Sequence, residues 1–318
     1  MCKINNYSPY GKDLLGEPMK GAKLNALASR FIIPPFTDLS ARSGEWMARK
    51  RAWLSMGIKS EIGRGEGLIG GGNRMGYDLL SKIDGSDRES NGTSVFDPVL
   101  CELAYRWFTA RGDHVVDPFA GGSVRGLVAS SMDRKYWGCD MRLEQVTANK
   151  DQASDLLDSN FPEYVCGDSM HEVKNAPICD FLFSCPPYGD LERYSDEEGD
   201  LSNMDFHSFI AAYKTIILRS VKRLKEDRFA CFVVGDFRCN KGFMRDFVSE
   251  TIRGFENAGA KLYNEAILLT SLGNAGMRAT RQFNAARKMI KTHQNVLIFC
   301  KGDPKKAADR VTLDDNER

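Results

Sequence analysis

Near the middle of the chain stands Ser184-Cys185-Pro186-Pro187-Tyr188, in which a thiol, two prolines and an aromatic ring follow one another without a spacer. A thiolate is a nucleophile, a tyrosine ring stacks on flat groups, and Asp190 and Glu192 just beyond are candidate proton donors. The plainer use of the same residues is structural, because cysteine is often a small buried residue and paired prolines commonly stop a strand. Three further clusters lie upstream: Asp117-Pro118-Phe119-Ala120-Gly121-Gly122, Asp140, and Gly167-Asp168-Ser169. Small residues let a ligand approach the backbone and acids accept hydrogen bonds, although an isolated Asp140 or Asp168 is more often a helix cap or a solvated strand end.

Their meaning depends on the elements that carry them. Strands are expected at His114–Val116, at Tyr136–Gly138 running out to Asp140, at a short segment ending in Val165, and at Phe181–Phe183, Phe229–Val234, Ala266–Thr270 and Asn295–Phe299. Helices are expected up to Arg111, from the glycine turn to about Met132, from Leu143, and over Phe243–Ala258. Strands separated by such helices imply an α/β fold with a mostly parallel seven-stranded sheet covered on both faces. Ligands bind such sheets outside the carboxyl ends of the strands, and all four clusters follow a strand. Gly235-Asp236-Phe237-Arg238 follows the fifth and would border the same cleft.

Composition narrows the class without naming it. A net charge of +1 over 318 residues marks no nucleic-acid binder by itself, so any basic surface must come from local segregation of charge. Nine scattered cysteines without paired CxxC spacing argue against a disulfide framework and a zinc site, so no metal is expected. Without a signal peptide or an apolar run of membrane-spanning length, a soluble cytoplasmic protein is expected. The glycine spacing is not the GxGxxG of nicotinamide-binding turns, and no phosphate-binding Gly-Lys-Ser/Thr is present.

Over Ser94 to Lys301 the order Asp-Pro-Phe-x-Gly, acidic strand end, x-Pro-Pro-Tyr resembles the S-adenosylmethionine-dependent DNA methyltransferases that modify exocyclic amines. The resemblance implies a Rossmann-like methyltransferase fold. It also implies a cofactor site in which Asp117, Phe119 and Gly121 wrap the methionine part, Asp140 grips the ribose and Asp168 reaches the adenine amine. Phe96 and Asp97, in the segment before the first strand, would line the same site. Tyr188 would stack on a base flipped out of double-stranded DNA. The block Ser43-Gly44-Glu45-Trp46 to Gly63-Arg64 also resembles the leader of methylases carried by phages and prophages, which implies a bacterial or phage-infected cell.

One position departs from the family pattern. Where the family presents an oxygen to the target amine, this chain has Cys185, and a thiol is a weak acceptor. Ser184 is a poor substitute, since neighbouring side chains of an extended strand point to opposite faces. As a thiolate, Cys185 would instead add to carbon 6 of cytosine and make carbon 5 nucleophilic, with Asp190 or Glu192 as the acid near N3. Carbon-5 methylation of cytosine is therefore the leading expectation, and methylation of an exocyclic amine, N4 of cytosine or N6 of adenine, is the alternative. A catalytically inactive DNA-binding or regulatory protein, and an RNA or small-molecule methyltransferase, remain as other classes.

Positive charge is segregated in two places. Arg278, Arg281, Gln282, Arg287 and Lys288 lie in a segment without acids just before the last strand, positioned to meet phosphates and base edges. Arg49, Lys50 and Arg64 lie in the leader block, where Arg49 and Trp53 are four apart and share a helix face; Trp46, Trp53 and Ile58 would equally dock that block onto the catalytic domain. The acids from Asp190 to Asp200 read as a solvated loop or a lid. The expected organisation is an N-terminal extension over residues 1–90, a catalytic domain over 91–303 with a basic insertion at 271–292, and a polar tail over 304–318.

Overall fold

A computed structural model describes residues 31–59, 96–189, 201–272 and 275–311. Its central feature is one sheet of eight strands in the order β1-β9-β10-β6-β5-β2-β3-β4. The strands are β1 (Asp38–Ser40), β2 (His114–Asp117), β3 (Lys135–Asp140), β4 (Glu163–Cys166), β5 (Cys179–Ser184), β6 (Leu224–Val234), β9 (Ala260–Leu269) and β10 (His293–Lys301). All neighbours pair in parallel except β10, which runs antiparallel to both β6 and β9. A short hairpin, β7 (Phe237–Arg238) with β8 (Met244–Arg245), stands apart from the sheet.

The central strands read as unbroken apolar runs because they are buried on both faces. Phe181 and Phe183 of β5 join one core layer and Leu182 joins the other. In β6, Phe229, Cys231 and Val233 alternate in the same way with Ala230, Phe232 and Val234. The first layer is closed by α1 (Gly44–Ser55), α2 (Pro98–Phe108), α3 (Val124–Ser131), α4 (Leu143–Leu156) and α9 (Pro304–Arg310). The second is closed by α6 (Phe206–Arg223) and α7 (Phe247–Asn257). The one-turn α5 (Ser169–Glu172) follows β4, and α8 (Ala275–Ala286) precedes β10.

The α/β Rossmann-like architecture expected from the sequence is present, with the sheet one strand wider. The added strand is β1, whose Leu39 is buried and which is fixed at the sheet edge by Ile267 N–H to Thr37 O (2.7 Å) and Ala41 N–H to Leu269 O (3.0 Å). Three residues are too short to display an alternation, so this strand left no period to read. The helix expected over Phe243–Ala258 begins only at Phe247, because Met244 and Arg245 pair with β7. The helix expected to reach Arg111 ends at Phe108.

Two segments outside the expected catalytic core pack against it. Trp46 and Trp53 of α1 are completely buried, and Ser43 Oγ caps that helix by accepting from Trp46 N–H. At the other end of the chain, Asp303 caps α9 and Pro304 occupies its first turn. Ala307 of α9 is buried, and Arg310 reaches Asp113 and Asp180 at the amino ends of β2 and β5. That edge of the sheet lies opposite the one that carries the candidate site.

Candidate functional site

The site is organised around Asp117, whose carboxylate is entirely buried. Its Oδ1 accepts from Ser184 Oγ (2.5 Å) and the Phe119 N–H (3.0 Å), and its Oδ2 accepts from Arg125 Nε (2.5 Å) and Tyr136 Oη (2.7 Å). Arg125 also donates to the carbonyls of Phe119 (2.6 Å) and Ala120 (2.9 Å) and lies 4.5 Å over the Phe96 ring. Burial opposes the Arg125 charge, but Asp117 outweighs it and holds the guanidinium pKa above its ordinary value. A single buried ion pair thus ties the ends of β2 and β5 to the glycine turn. Both Asp117 oxygens are turned inward and satisfied, so its side chain shapes the turn expected to wrap the methionine part and does not itself line the cavity. Ser184 points to the same buried face, as the alternation of an extended strand requires.

The turn that Asp117 shapes opens onto a cavity of about 970 Å³. Phe119, Gly121, Asp140 and Asp168 line it, together with Phe96 and Asp97. Gly121 adopts a left-handed φ of 51°, and its N–H donates to Asp140 Oδ2 (3.0 Å). Asn149 Nδ2 holds the Gly121 carbonyl (2.7 Å) from α4. Asp168 both lines the cavity and caps α5, accepting from Met170 N–H at 2.8 Å. Asp97 caps α2 through Val99 N–H (3.0 Å) and pairs with Lys50 Nζ (3.0 Å). Backbone amides, carboxylates at two strand ends and apolar walls are therefore gathered in one concavity.

The same cavity continues to Cys185, Pro186, Pro187 and Tyr188. Pro186 is buried, while Cys185, Pro187 and Tyr188 are half-buried. The Tyr188 ring is braced edge-on by Phe237 (6.2 Å) and Phe247 (6.0 Å), and its hydroxyl accepts from Gln294 Nε2 (2.9 Å). Asp236, Lys291, His293 and Gln294 complete this end. Partial burial lowers the Lys291 and His293 pKa values, and the Lys291 charge lowers that of His293 further. Lys291 is exposed, yet its Nζ sits about 3.0 Å from where a Cβ on Gly235 would lie, so its tip is tucked against the cleft wall.

Gln294 and His293 escaped sequence reasoning for a geometric reason. Residues that follow parallel strands gather at the carboxyl edge of the sheet, but β10 runs antiparallel, so it is its amino end that stands beside the carboxyl ends of its neighbours. Arg125 left no signal either, because a helix residue that turns back on the preceding strand has the sequence appearance of a surface cation. Asp236 and Phe237, expected to border the cleft, do line it.

The basic residues of the two segments expected to meet DNA stand in different surroundings. Arg49 is turned inward onto the fully buried Glu102, which also accepts from Trp53 Nε1 (2.8 Å), so its guanidinium is engaged in holding α1 to α2. Burial pushes the Glu102 pKa up, and Arg49, Arg106 and Trp53 overcome that effect to leave it lowered. Lys50 lies in the cavity wall beside Asp97. Arg278, Arg281 and Gln282 lie on α8, with Arg287 and Lys288 just beyond it; of these, Gln282 and Lys288 are half-buried and the three arginines are exposed. Arg64, Asp190 and Glu192 lie outside the described residues. No group of three or more metal-ligating side chains occurs among the described residues, and no described helix is long and apolar enough to cross a membrane.

No family model matches the chain. A tRNA (guanine(10)-N(2))-methyltransferase of Dictyostelium discoideum is 30% identical over 132 residues, covering 38% of this chain and 25% of that protein. The chain thus matches about a quarter of that curated relative's length. Among solved structures, TrmN from Thermus thermophilus aligns with a TM-score of 0.44 at 15% identity, over 89% of this chain and 88% of its own. The magnesium protoporphyrin IX methyltransferase of Synechocystis with bound S-adenosylmethionine aligns with a TM-score of 0.43 at 11% identity, over 72% and 93%.

Proposed function

We propose that the chain is an S-adenosylmethionine-dependent methyltransferase acting on an exocyclic amine of a base in DNA. The observation that carries the methyl-transfer reading is the single cavity running from the Gly121 turn, Asp140 and Asp168 to Pro186, Pro187 and Tyr188, and DNA rests on the resemblance of the Asp-Pro-Phe and Pro-Pro-Tyr motifs. A ligand over the first group of residues faces a flat ring held by the second. The donor set fits the cofactor: Asp140 suits ribose hydroxyls, Asp168 suits an adenine amine, and the Gly121 turn suits the methionine part. When bound, S-adenosylmethionine supplies an electrophilic methyl group.

The chain's own residues do the remainder. Tyr188, braced by Phe237, Phe247 and Gln294, offers a pre-formed stacking face, so little side-chain freedom is lost when a base docks. Buried Pro186 and the Asp117 network hold the end of β5 rigidly beside the cofactor half. With Ser184 committed to Asp117, main-chain carbonyls of the Cys185-Pro186 segment accept the amine hydrogens and orient the nitrogen lone pair. Pro187 and the aromatic wall exclude water from the reacting atoms. The relative of Dictyostelium, whose name specifies an amine of guanine, supports the amine over carbon 5.

Carbon 5 of cytosine stands as the second reading, because the Cys185 thiol opens on the cavity with Arg125 within electrostatic reach. RNA stands as the second substrate, on the strength of the same relative. The deciding experiment incubates the protein with labelled cofactor and either DNA or RNA, digests to nucleosides and identifies the product by mass and retention. An N-methylated deoxynucleoside is expected. A product methylated at carbon 5, together with a covalent adduct on 5-fluorocytosine DNA that Cys185→Ser abolishes, would replace the amine reading. No methylated nucleoside from either polymer would end both.

A further inference from the structure

Two segments that are remote in sequence meet at the mouth of the cleft. The β7–β8 hairpin touches the segment after α8, for Lys288 Nζ and Cε lie 2.8 and 2.9 Å from where a Cβ on Gly242 would be. Neither residues 237–245 nor residues 275–291 contain an acid, although each carries several cations. Phe243 at the hairpin tip is 72% exposed and Phe283 on α8 is 45% exposed, with the Arg287 guanidinium 5.2 Å over the Phe283 ring. Of the described residues of α8, Ala275 alone is buried, so the helix stands off the core. The surface begins where the target pocket ends, since Phe237 opens the hairpin and packs on Tyr188, while Lys291 closes the basic segment beside Gly235.

We propose that the β7–β8 hairpin and the α8 segment together form a docking surface for an unpaired nucleic-acid strand flanking the target base. The proposal rests on the reading of the cleft as a site for a nucleic-acid base. Cations without intervening acids complement a phosphodiester backbone. Exposed rings set among those cations stack on bases, and only an unpaired strand presents base faces; a duplex keeps its faces inside and offers edges. Phe243 and Phe283 therefore select single strands, and Arg278, Arg281 and Lys241 hold their phosphates. The chemistry is common to DNA and RNA strands, and the choice between them falls to the pocket at Tyr188.

The test is equilibrium binding of the full chain to a labelled homopyrimidine oligonucleotide, as DNA, as RNA and as a blunt duplex, read by fluorescence anisotropy across a salt series. Single strands are expected to bind more tightly than the duplex. Phe243→Ala and Phe283→Ala should each weaken single-strand binding about five- to hundred-fold and leave duplex binding unchanged. Arg278→Gln with Arg281→Gln should weaken both and lower the salt slope by about 0.7 per lost single-strand phosphate contact. All four positions are solvent-facing, so unchanged thermal melts separate binding from folding. Single-strand binding unaffected by both phenylalanine changes, or a preference for duplex, overturns the proposal. Product identification with labelled cofactor is a separate readout, so methylation with unaltered binding condemns the docking surface alone, and binding without methylation condemns the enzymatic reading alone.

Discussion

Replacing Arg49 by Met separates two uses of one cation. As a nucleic-acid contact, Arg49 would be dispensable for folding. The structure instead aims it at Glu102, a completely buried carboxylate whose other neighbours are Trp53 and the more distant Arg106 at 3.8 Å. Removing one partner of a buried pair costs about 3–5 kcal/mol, because the other charge is left uncompensated. Trp53 and Arg106 remain, so the lower end applies, about 3 kcal/mol. At roughly 2 °C per kcal/mol for a chain of this size, the midpoint should fall by about 6 °C.

The pH dependence gives the sign. In the parent, the depressed Glu102 pKa contributes stability that is present above the unfolded value near 4.5 and is lost as pH falls through the folded value. In the Arg49→Met protein the largest opposing charge is gone, so burial pushes the folded Glu102 pKa above the unfolded value near 4.5, and the deficit should be largest at pH 7 and shrink as pH falls through that raised value towards 4.5. Urea melts at pH 7 and pH 4.5 measure it, and Glu102→Gln added to Arg49→Met should recover 1–3 kcal/mol, roughly the coupling of a contacting pair. An Arg49→Met protein that melts like the parent and loses only nucleic-acid binding would refute the reasoning.

Asp117→Ala should cost about 3–5 kcal/mol in urea melts by orphaning buried Arg125, and should weaken cofactor binding by isothermal titration although Asp117 does not face the cavity. Gly126→Ala places a Cβ 2.2 Å from Tyr164 Oη and 3.1 Å from Pro162 Cβ, so thermal melts should show a loss of about 1–3 kcal/mol. Tyr188→Phe keeps the ring and removes only the bond to Gln294, so kcat/KM should change by less than about threefold, whereas Tyr188→Ala should lower it roughly five- to hundred-fold through lost stacking.

The strand ends were legible because the central strands are buried on both faces and the turns that follow them need small and acidic residues. Phe181–Phe183 and the Gly121 turn are marked by their local residue types, and Asp140 by its place at the end of an apolar run. Met244 and Arg245, the second strand of the hairpin, fall inside the helix expected over Phe243–Ala258, since two-residue strands leave no period and Met244-Arg245 suits a helix as well. Arg49 and Lys50 read as surface cations, because a lone buried acid such as Glu102 carries no mark in a sequence.

The sequence by itself determined the alternating α/β order and the position of the polar clusters after β2, β3, β4 and β5, since burial pattern and turn chemistry are local properties. Tertiary structure decided which of those groups face the cavity. Asp117 turned inward to a buried guanidinium and took the Ser184 hydroxyl with it, and the antiparallel run of β10 carried Gln294 to Tyr188. Both outcomes depend on charge pairing and strand direction between segments remote in the chain, which no local pattern encodes.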